Sequence, residues 1–436
     1  MTVDAQSRVI EDGVILIRDS RIEFVGREGI RAQHTAEREI DATGKTIFPG
    51  LINMHDHMFQ SLMRFPAARD ELQVPLLDWL KKRAWPVTSS LTAEELYVGE
   101  LLSCVENITS GVTFVMDNLY GNRHFDLVGR AMQETKIRGC IARGFYEVNA
   151  SDEVSEEGEE ILESCERLID TWHGAAGGKI MVAVAPMHPC FVSGQLLAKS
   201  KELADKRKVR YHVHTGESQA DLELCRQLHG TTDIELMHQL GILSPSYLAV
   251  HSNWLTSSEI RHMAESGCSA VHNPQCNMLA ATGNSPVPEL RTNGVNIALG
   301  TDGSGGPNHD MIRFLKTAVL LHRSQSLDAT VITTQDVLEM ATINGARALG
   351  LEDQLGSIER GKKADIIIVD LEKLNIAPVH DPIEAFVLCA CHRDVETVII
   401  DGEVVMENRE IKTANLDEIL AAAIKTAHEL RQRVGI

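Results

Sequence analysis

The histidines of this 436-residue chain cluster where short apolar runs end. Five such run ends carry side chains that bind metals or move protons: His55-Asp56-His57, His212 to Glu217, His251, His272-Asn273 and Thr301-Asp302-Gly303. Neutral imidazoles together with one carboxylate bind zinc or a similar divalent ion and leave a coordination position for water. A single buried histidine is usually structural, but five run ends with the same chemistry predict a metal-dependent catalytic site.

Elements that would bring these run ends together occupy residues 50–350. The predicted strands are 50–54, 112–116, 139–142, 180–185, 209–213, 247–250, 269–271 and 296–299. Helical patterns lie between them at 93–110, 157–172, 193–206, 256–266 and 311–323. Eight strand-helix units predict an α/β fold, a (β/α)8 TIM barrel, whose catalytic side chains lie at the carboxyl ends of its strands. The runner-up, an open doubly wound sheet, would carry a glycine-rich turn after its first strand, where this chain has His55-Asp56-His57.

The segments on either side of this region have the pattern of β-hairpins. Apolar runs at 14–17, 21–25 and 45–48, and again at 364–369, 395–400 and 403–406, are separated by turn sequences such as Asp401-Gly402. Because chain ends usually lie near each other, these runs predict one small discontinuous β-sandwich built from both termini. The predicted boundaries are 1–48 with 355–412 for this β-domain, 49–354 for the barrel and 413–436 for a C-terminal helix.

The composition excludes several classes of protein. Acidic residues outnumber basic ones by 62 to 42, and the formal net charge of −20 repels nucleic acids and anionic membrane surfaces. No apolar run approaches the ~20 residues that span a bilayer. The first residues lack the charged and apolar regions of a signal peptide, and the nine cysteines lack paired spacing. The sequence therefore predicts a cytoplasmic protein with reduced thiols.

Several motifs of the chain resemble those of the amidohydrolase superfamily. The opening signature is Pro49-Gly50-Leu51-Ile52-Asn53-Met54-His55-Asp56-His57. Four further motifs follow in the expected order: His214-Thr215-Gly216-Glu217, His251-Ser252-Asn253, His272-Asn273-Pro274 and Gly300-Thr301-Asp302-Gly303. Residues 356–365 resemble the return into that family's composite β-domain. The resemblance covers nearly the whole chain and is nearest to the mononuclear branch that holds guanine, cytosine and S-adenosylhomocysteine deaminases and the triazine hydrolases.

The resemblance implies one divalent metal ion per chain, zinc, with iron as the alternative. The implied ligands are His55, His57, His214 and Asp302. Dinuclear relatives place a lysine at the end of the fourth strand, but Pro186-Met187-His188 stands there in this chain, so a single metal is favoured. His212 shares the strand face of His214 but lies deeper, and we expect it to have a structural role.

The implied reaction is hydrolysis at an electron-poor ring carbon. A bound metal lowers the pKa of water toward neutrality, His251 and Asp302 accept the proton, and Glu217 protonates a ring nitrogen and then the leaving group. Ammonia leaves far better once it is protonated, whereas chloride needs no proton, so Glu217 favours deamination. The alternative is loss of chloride or an alkylamine, as in the triazine hydrolases. A non-enzymatic assembly protein on this fold would usually lack the metal ligands that this chain retains.

Five residues are predicted to contact the substrate: Gln60, Trp79, Arg143, His188 and Asn273. The Gln60 amide both donates and accepts hydrogen bonds, which suits a lactam or amidine edge, and Trp79 is placed to stack on an aromatic ring. Arg143 and His188 follow the third and fourth strands, and Asn273 follows the seventh. For each of them, the alternative is an ordinary role in packing or surface pairing.

The substrate is predicted to be a small heterocycle. Nucleoside-accepting relatives tend to carry a glutamate two residues after a proline in the first long insertion, and this chain has Thr88 after Pro86. The change favours a free purine or pyrimidine base, a pterin or a triazine, and leaves an adenosine or S-adenosylhomocysteine substrate as the weaker alternative. A homodimer is left open, because exposed helices such as Leu416–Val434 could pair.

Overall fold

The computed structural model describes residues 1–27, 35–64, 74–303 and 308–435. Its strands are β1 (Gly13–Arg18), β2 (Arg21–Arg27), β3 (Thr46–Pro49), β4 (Leu51–Asp56), β5 (Val112–Leu119), β6 (Arg138–Phe145), β7 (Ile180–Pro186), β8 (Arg210–Thr215), β9 (Tyr247–His251), β10 (Ser269–His272), β11 (Asn296–Leu299), β12 (Ile366–Val369), β13 (Val395–Ile400), β14 (Glu403–Glu407) and β15 (Glu410–Ile411). They form three sheets, of which the largest contains β4 to β11.

The helices pack around the large sheet and at the chain end. They are Leu76–Trp79, Trp85–Ser90, Ala93–Thr109, Phe125–Thr135, Gly158–Trp172, Ala175–Gly178, Gly194–Arg207, Gln219–His229, Asp233–Gln239, Ser257–Ser266, Pro274–Leu279, Val287–Thr292, Met311–Ser326, Thr334–Met340, Ile343–Leu349, Pro382–Cys389 and Leu416–Val434. Several begin at capping boxes, as at Thr92, whose side chain accepts from the backbone of Glu95 while the Glu95 carboxylate accepts from the backbone of Thr92. The predicted helices are confirmed, each within a few residues of its expected bounds.

The eight parallel strands β4 to β11 follow one another in chain order and form a nearly closed barrel. At the junction of the first and last strands, the backbone N–H of Asp302 donates to the carbonyl of His55 over 2.9 Å. Every residue of β4, β5 and β6 is buried, because a parallel sheet is covered on both faces. The predicted α/β TIM barrel is confirmed.

The predicted strands fell furthest short of the observed ones at two carboxyl ends. β5 continues to Leu119 instead of residue 116, and β6 continues to Phe145 instead of residue 142. These extensions contain polar residues such as Asp117 and Arg143, which a search for apolar runs excludes. They are nevertheless strand residues, because Asp117 pairs with Ile141 of β6 and Arg143 pairs with Val184 of β7.

A separate antiparallel sheet combines strands that precede and follow the barrel in the sequence. Its order is β15-β14-β13-β12-β3, and β3 pairs with β12 from Thr46 opposite Val369 to Pro49 opposite Ile366. The β1–β2 hairpin lies beside it, where the backbone N–H of Ile22 donates to the carbonyl of Lys362 over 2.9 Å. The β-domain built from both ends of the chain is confirmed, whereas its boundaries at residues 48, 355 and 412 stay predictions.

A buried ion pair links the barrel to this sheet. Nε and Nη2 of Arg138, the first residue of β6, donate to the two carboxylate oxygens of Asp365 over 2.9 and 3.1 Å. Nη2 also lies 3.1 Å from Oδ1 of Asp401, which follows β13. Two-point contact of this kind fixes the relative orientation of its partners. Within the described ranges, the chain has no helix with the length and apolarity needed to cross a membrane.

Candidate metal-dependent active site

The carboxyl ends of three barrel strands bring the predicted metal ligands together. His55 lies in β4 and His57 follows it, His214 lies in β8, and Asp302 follows β11. Oδ1 of Asp302 is 3.2 Å from Nε2 of His55 and 3.6 Å from Nε2 of His57. Nε2 of His214 is 3.4 Å from Nε2 of His57. All four side chains are buried, so their polar atoms converge on one small volume.

The ligand atoms of this cluster fit a divalent metal ion. Nδ1 of His57 lies 2.6 Å from the carbonyl oxygen of Asn118, which can only accept, so Nδ1 carries the proton and Nε2 keeps its lone pair. The buried Nε2 of His55 has no hydrogen-bond partner among the described residues. His55, His57 and Asp302 each offer one ligand atom within 4.8 Å of the others. Such imidazole and carboxylate donors are what zinc prefers.

Burial lowers the pKa of two imidazoles of this cluster. It lowers the pKa of His57 to about 4, with His55 adding to the shift. It also lowers the pKa of His214 well below its ordinary value. Burial alone would raise the pKa of Asp302, but the imidazoles of His55, His251 and His57 hold that pKa well below its usual range. Neutral imidazoles at His57 and His214 and an ionised carboxylate at Asp302 are in the protonation states required of metal ligands.

The two predicted proton-transfer residues lie beside this cluster. Nε2 of His251 is 3.6 Å from Oε1 of Glu217 and 3.6 Å from Oδ2 of Asp302. Burial raises the pKa of Glu217 well above its ordinary value, and Asp221 and Asp302 add to the shift. Burial lowers the pKa of His251 to about 4. These shifts favour the neutral imidazole of His251, which can accept a proton, and the protonated carboxyl of Glu217, which can donate one.

Two of these residues have a left-handed backbone. The φ angles of His251 and Asp302 are 67° and 63°, a region that residues other than glycine rarely adopt. Aspartate tolerates it better than most, but a histidine is uncommon there. Strained backbone of this kind concentrates at functional sites, where the surrounding structure compensates for its cost. Here it turns both side chains toward the same point at the end of the barrel.

Asp56, which lies between His55 and His57, anchors the end of β4. Oδ2 of Asp56 accepts from Nδ2 of Asn53 and Nδ2 of Asn107, each over 3.1 Å, and lies 2.8 Å from Nδ1 of His309. Asp56 and its partners are buried. This network connects β4, the helix Ala93–Thr109 and the segment that begins at residue 308. Sequence reasoning missed it, because its members are far apart along the chain.

The close approach of β11 to β4 requires glycine at position 300. A Cβ atom there would lie 2.4 Å from Oδ1 of Asn273, 2.8 Å from Cβ of His55 and 3.0 Å from the backbone nitrogen of His55. We expect Gly300→Ala to displace His55 and to lower metal affinity roughly 10- to 100-fold, the usual effect of disturbing the surroundings of a ligand. Metal titration of the apoprotein measures this loss.

The matched control for Gly300→Ala is Gly194→Ala. A Cβ atom at position 194 would meet nothing within 4 Å, and the residue begins the helix Gly194–Arg207. The control should therefore keep the metal affinity of the wild type. Equal metal affinity in both variants would contradict the packing argument.

A pocket of about 910 Å³, including its open mouth, lies above the cluster. Polar side chains form part of its wall: His57, Gln60, His188, His214, Glu217, Asp221, His251 and Asp302. Apolar and aromatic side chains form much of the rest: Val74, Leu76, Trp79, Leu80, Tyr120, Tyr146, Met187, Phe191, Leu279 and Ala280. An apolar pocket with a few converging polar groups is typical of a small-molecule site.

Three of the five predicted substrate contacts line this pocket. Nε2 of Gln60 donates to the hydroxyl of Tyr120 over 2.8 Å, and Trp79 forms part of the apolar wall. Nε2 of His188 lies 3.1 Å from Oδ2 of Asp233. That carboxylate also accepts from the backbone N–H of Gly216 over 2.6 Å, which steadies the turn before Glu217.

The other two predicted contacts do not line the pocket formed by the described residues. The guanidinium of Arg143 donates to both carboxylate oxygens of Glu156 and lies over the ring of Phe125. The Asn273 side chain is buried behind His251, with Nδ2 3.4 Å from Nδ1 of that histidine. The positions of these two residues therefore give no support to a direct contact with substrate.

Sequence reasoning also missed a pocket residue. Tyr120, which directly follows β5, lies against His57 with its ring centroid 5.2 Å away and binds Gln60 through its hydroxyl. The predicted strand ended at residue 116, so Tyr120 was not identified as a strand-end residue. Recognition that polar residues can continue a barrel strand would have indicated it.

The barrel and the cluster at its strand ends define the class of metal-dependent barrel hydrolases. Residues 46–405 match the amidohydrolase family, and the chain belongs to that family. The chain is 35% identical over 436 residues to a 5′-deoxyadenosine deaminase of Methanosarcina mazei. The match covers 100% of this chain and 97% of that protein.

Solved structures show the same similarity. The chain resembles a zinc-bound adenosine deaminase of Xanthomonas campestris with a TM-score of 0.92 and 28% identity, over 99% of this chain and 97% of that one. It resembles a zinc complex of atrazine chlorohydrolase from Arthrobacter aurescens TC1 with a TM-score of 0.91 and 25% identity, over 98% and 97%. The superfamily resemblance is confirmed. The chain is a hydrolase of the deaminase type that acts on carbon–nitrogen bonds, and the comparisons together with the cluster support a divalent metal.

Proposed function

We propose that this chain removes the amino group from the adenine ring of a 5′-deoxyadenosine-type nucleoside and releases ammonia. The observation that carries the proposal is the Glu217 carboxyl in the wall of a pocket that also contains the metal-type cluster, where burial raises its pKa well above the ordinary value. A relative matched along the whole chain is named a 5′-deoxyadenosine deaminase, which supports the substrate class. This choice replaces our preference from the sequence for a free base.

His55, His57, His214 and Asp302 would hold one divalent ion, with zinc proposed because the similar structures contain it. The ion would supply a hydroxide nucleophile from water at neutral pH. Two groups could accept the proton that such a water would release, Nε2 of His251 and Oδ2 of Asp302, which lie 3.6 Å apart.

Glu217 would act first as an acid and then as a proton carrier. Its carboxyl donates to a ring nitrogen, which makes the adjacent carbon more electrophilic. His251 lies 3.6 Å from the same carboxyl and can return the proton taken from water. Glu217 then passes that proton to the amino group, which leaves as ammonia, and the proton that remains on the added hydroxyl restores the acid form of Glu217 through Asp302 and His251. Chloride would leave without this step, so a carboxylic acid in the pocket wall favours deamination over dechlorination.

The apolar wall of the pocket suits the rest of such a substrate. Trp79 and Phe191 offer aromatic surfaces for a purine, and Met187 and Leu279 provide apolar contacts. A nucleoside that lacks the 5′-hydroxyl needs fewer polar partners than adenosine. This combination supports a 5′-deoxy compound among the adenine nucleosides.

One observation favours a second candidate, a free aminated heterocycle. Thr88 stands where nucleoside-accepting relatives tend to carry a glutamate for the ribose. Its side chain is fully buried, donates to the carbonyl of Ala84 over 2.6 Å and does not line the pocket of the described residues. A free base, pterin or triazine has no ribose and would not need that contact.

Ammonia release by zinc-loaded protein tests both candidates. The panel contains 5′-deoxyadenosine, adenosine, S-adenosylhomocysteine, adenine, guanine, a pterin and an aminotriazine, with chloride release from a chlorotriazine measured in parallel. We expect the highest kcat/KM for 5′-deoxyadenosine. Turnover of free bases without turnover of nucleosides would select the second candidate, and chloride release alone would contradict both.

A further inference from the structure

Four groups at the end of the barrel form a continuous hydrogen-bonded series. Nδ2 of Asn253 lies 2.9 Å from the backbone carbonyl of Glu217, Nδ2 of Asn277 lies 2.8 Å from Oδ1 of Asn253, and Oδ1 of Asn277 lies 2.8 Å from Nδ1 of His251. His251 and Asn277 are each 1% exposed and Asn253 is 6% exposed, so water does not compete for these bonds. The series connects the proposed base to the backbone of the proposed acid.

The direction of every bond in the series follows from its first member. A backbone carbonyl only accepts, so the amide nitrogen of Asn253 must face Glu217 and its oxygen must face Asn277. The amide nitrogen of Asn277 must then face Asn253, which leaves its oxygen facing His251. An amide oxygen only accepts, so Nδ1 of His251 must carry the proton. Nε2 therefore keeps a lone pair, directed toward Asp302 and Glu217.

A competing donor makes this choice of tautomer consequential. Nδ2 of Asn273 lies 3.4 Å from Nδ1 of His251 and would donate to it if that nitrogen had no proton. The opposite tautomer would then place an N–H on Nε2, where it could not accept a proton. The shorter contact with Asn277 decides between the two tautomers of His251. The Asn277 oxygen must face His251, because the bonds from Asn277 to Asn253 and from Asn253 to the Glu217 carbonyl fix its orientation.

We propose that Asn277 and Asn253 are positioning residues that hold His251 with its proton on Nδ1 and tie it to the backbone of Glu217. The kinetic part of the inference depends on the proposed deamination, whereas the position of the proton does not. Neither amide touches the pocket formed by the described residues. They act through the two residues that do.

Three substitutions separate the two tasks. Asn277→Leu removes the acceptor for Nδ1 and breaks the series. Asn277→Asp keeps that acceptor but loses the donor to Asn253, and Asn253→Asp loses the donor to the Glu217 carbonyl. The control is Asn293→Asp, an exposed asparagine at the end of the helix Val287–Thr292.

We expect Asn277→Leu to lower kcat roughly 10- to 100-fold, as loss of an outer partner usually does, while KM stays close to that of the wild type. Asn277→Asp should lose less, because it retains the Nδ1 acceptor, and the control should be unchanged. Equal loss in Asn277→Leu and Asn277→Asp, or a change in KM alone, would overturn the positioning role. Bound metal per chain is measured for each variant, so that loss of metal is not mistaken for loss of positioning.

Nitrogen NMR of the histidine rings in the zinc-loaded protein tests the proton position directly, with His251 assigned by the signals that His251→Gln removes. We expect a proton on Nδ1 in the wild type and in Asn277→Asp, and its loss or exchange in Asn277→Leu. A proton on Nε2 in the wild type would overturn the inference. The wild-type spectrum decides even if Asn277→Leu does not fold. Absence of deamination with Nδ1 protonated would contradict the proposed function and leave the positioning of His251 intact.

Discussion

Asp302→Asn is expected to abolish turnover while the fold persists. The substitution removes the only carboxylate among the proposed metal ligands and one of the two proposed proton acceptors. Loss of a general base alone costs ~10²- to 10⁴-fold in rate, and weaker metal binding adds to that loss. Asparagine tolerates the left-handed backbone at this position, where φ is 63°, so the strand end should keep its conformation. Activity, metal content and thermal unfolding are measured on the same preparation.

An exposed aspartate with the same backbone provides the control. Asp12 has a φ of 51° and lies in the turn before β1, which precedes the barrel strands in the sequence. Asp12→Asn should retain wild-type activity and metal content. Undiminished activity in Asp302→Asn with metal still bound would reject the assignment of this residue.

Glu217→Gln is expected to have the second largest effect, a fall in kcat of ~10²- to 10⁴-fold. Glutamine has the same shape and can donate a hydrogen bond to a ring nitrogen, but it cannot transfer a proton to the leaving group. Metal binding should be preserved, because Glu217 is not among the proposed ligands. Glu265→Gln, an exposed residue on the helix Ser257–Ser266, is the control and should be fully active. Wild-type kcat in Glu217→Gln would contradict the role of proton carrier.

The same substitution has a predictable effect on stability. The pKa of Glu217 in the folded protein is raised above its ordinary value of 4.5, chiefly by burial. Below pH 4.5, the Glu217 carboxyl is protonated in both the folded and the unfolded chain. Above pH 4.5, the unfolded chain releases this proton while the folded chain retains it. The native carboxyl therefore costs stability as the pH rises from 4.5 toward neutrality. Metal-free Glu217→Gln should unfold at the same or a higher temperature than metal-free wild type at pH 7, with the difference vanishing near pH 4. A lower temperature would contradict the raised pKa.

The sequence was sufficient to predict the barrel and the residues that meet at its strand ends. The parallel strands of a barrel place their carboxyl ends at one edge. Residues as distant in the sequence as His57 and Asp302 could therefore be predicted to lie close together. The structure places Nε2 of His57 and Oδ1 of Asp302 3.6 Å apart. Apolar runs and their order were the only information required for this step.

The sequence was insufficient wherever a side chain had several potential partners. Arg143 was expected to contact substrate, but its guanidinium pairs with Glu156, and the pattern of apolar residues contains no signal for that choice. Asn277 carries no distinguishing signal in the sequence, because asparagine is common in turns. Its proposed role arises from the direction of hydrogen bonds among residues that end or follow three different strands, β8, β9 and β10. Such directions depend on distances of a few tenths of an ångström, which the sequence alone does not provide.

The pairing of β3 with β12 also has a consequence for how the protein is made. The entire barrel is encoded between these two strands, so β3 leaves the ribosome long before its partner exists. At about 5–20 residues per second, the interval is roughly 15–60 s. During that time, the edge of β3 remains open to pairing with other chains, and the small sheet can close only when the barrel has been completed. Chains that stall within the barrel would thus expose this edge, which gives chaperones and proteases a feature by which to distinguish them from finished molecules.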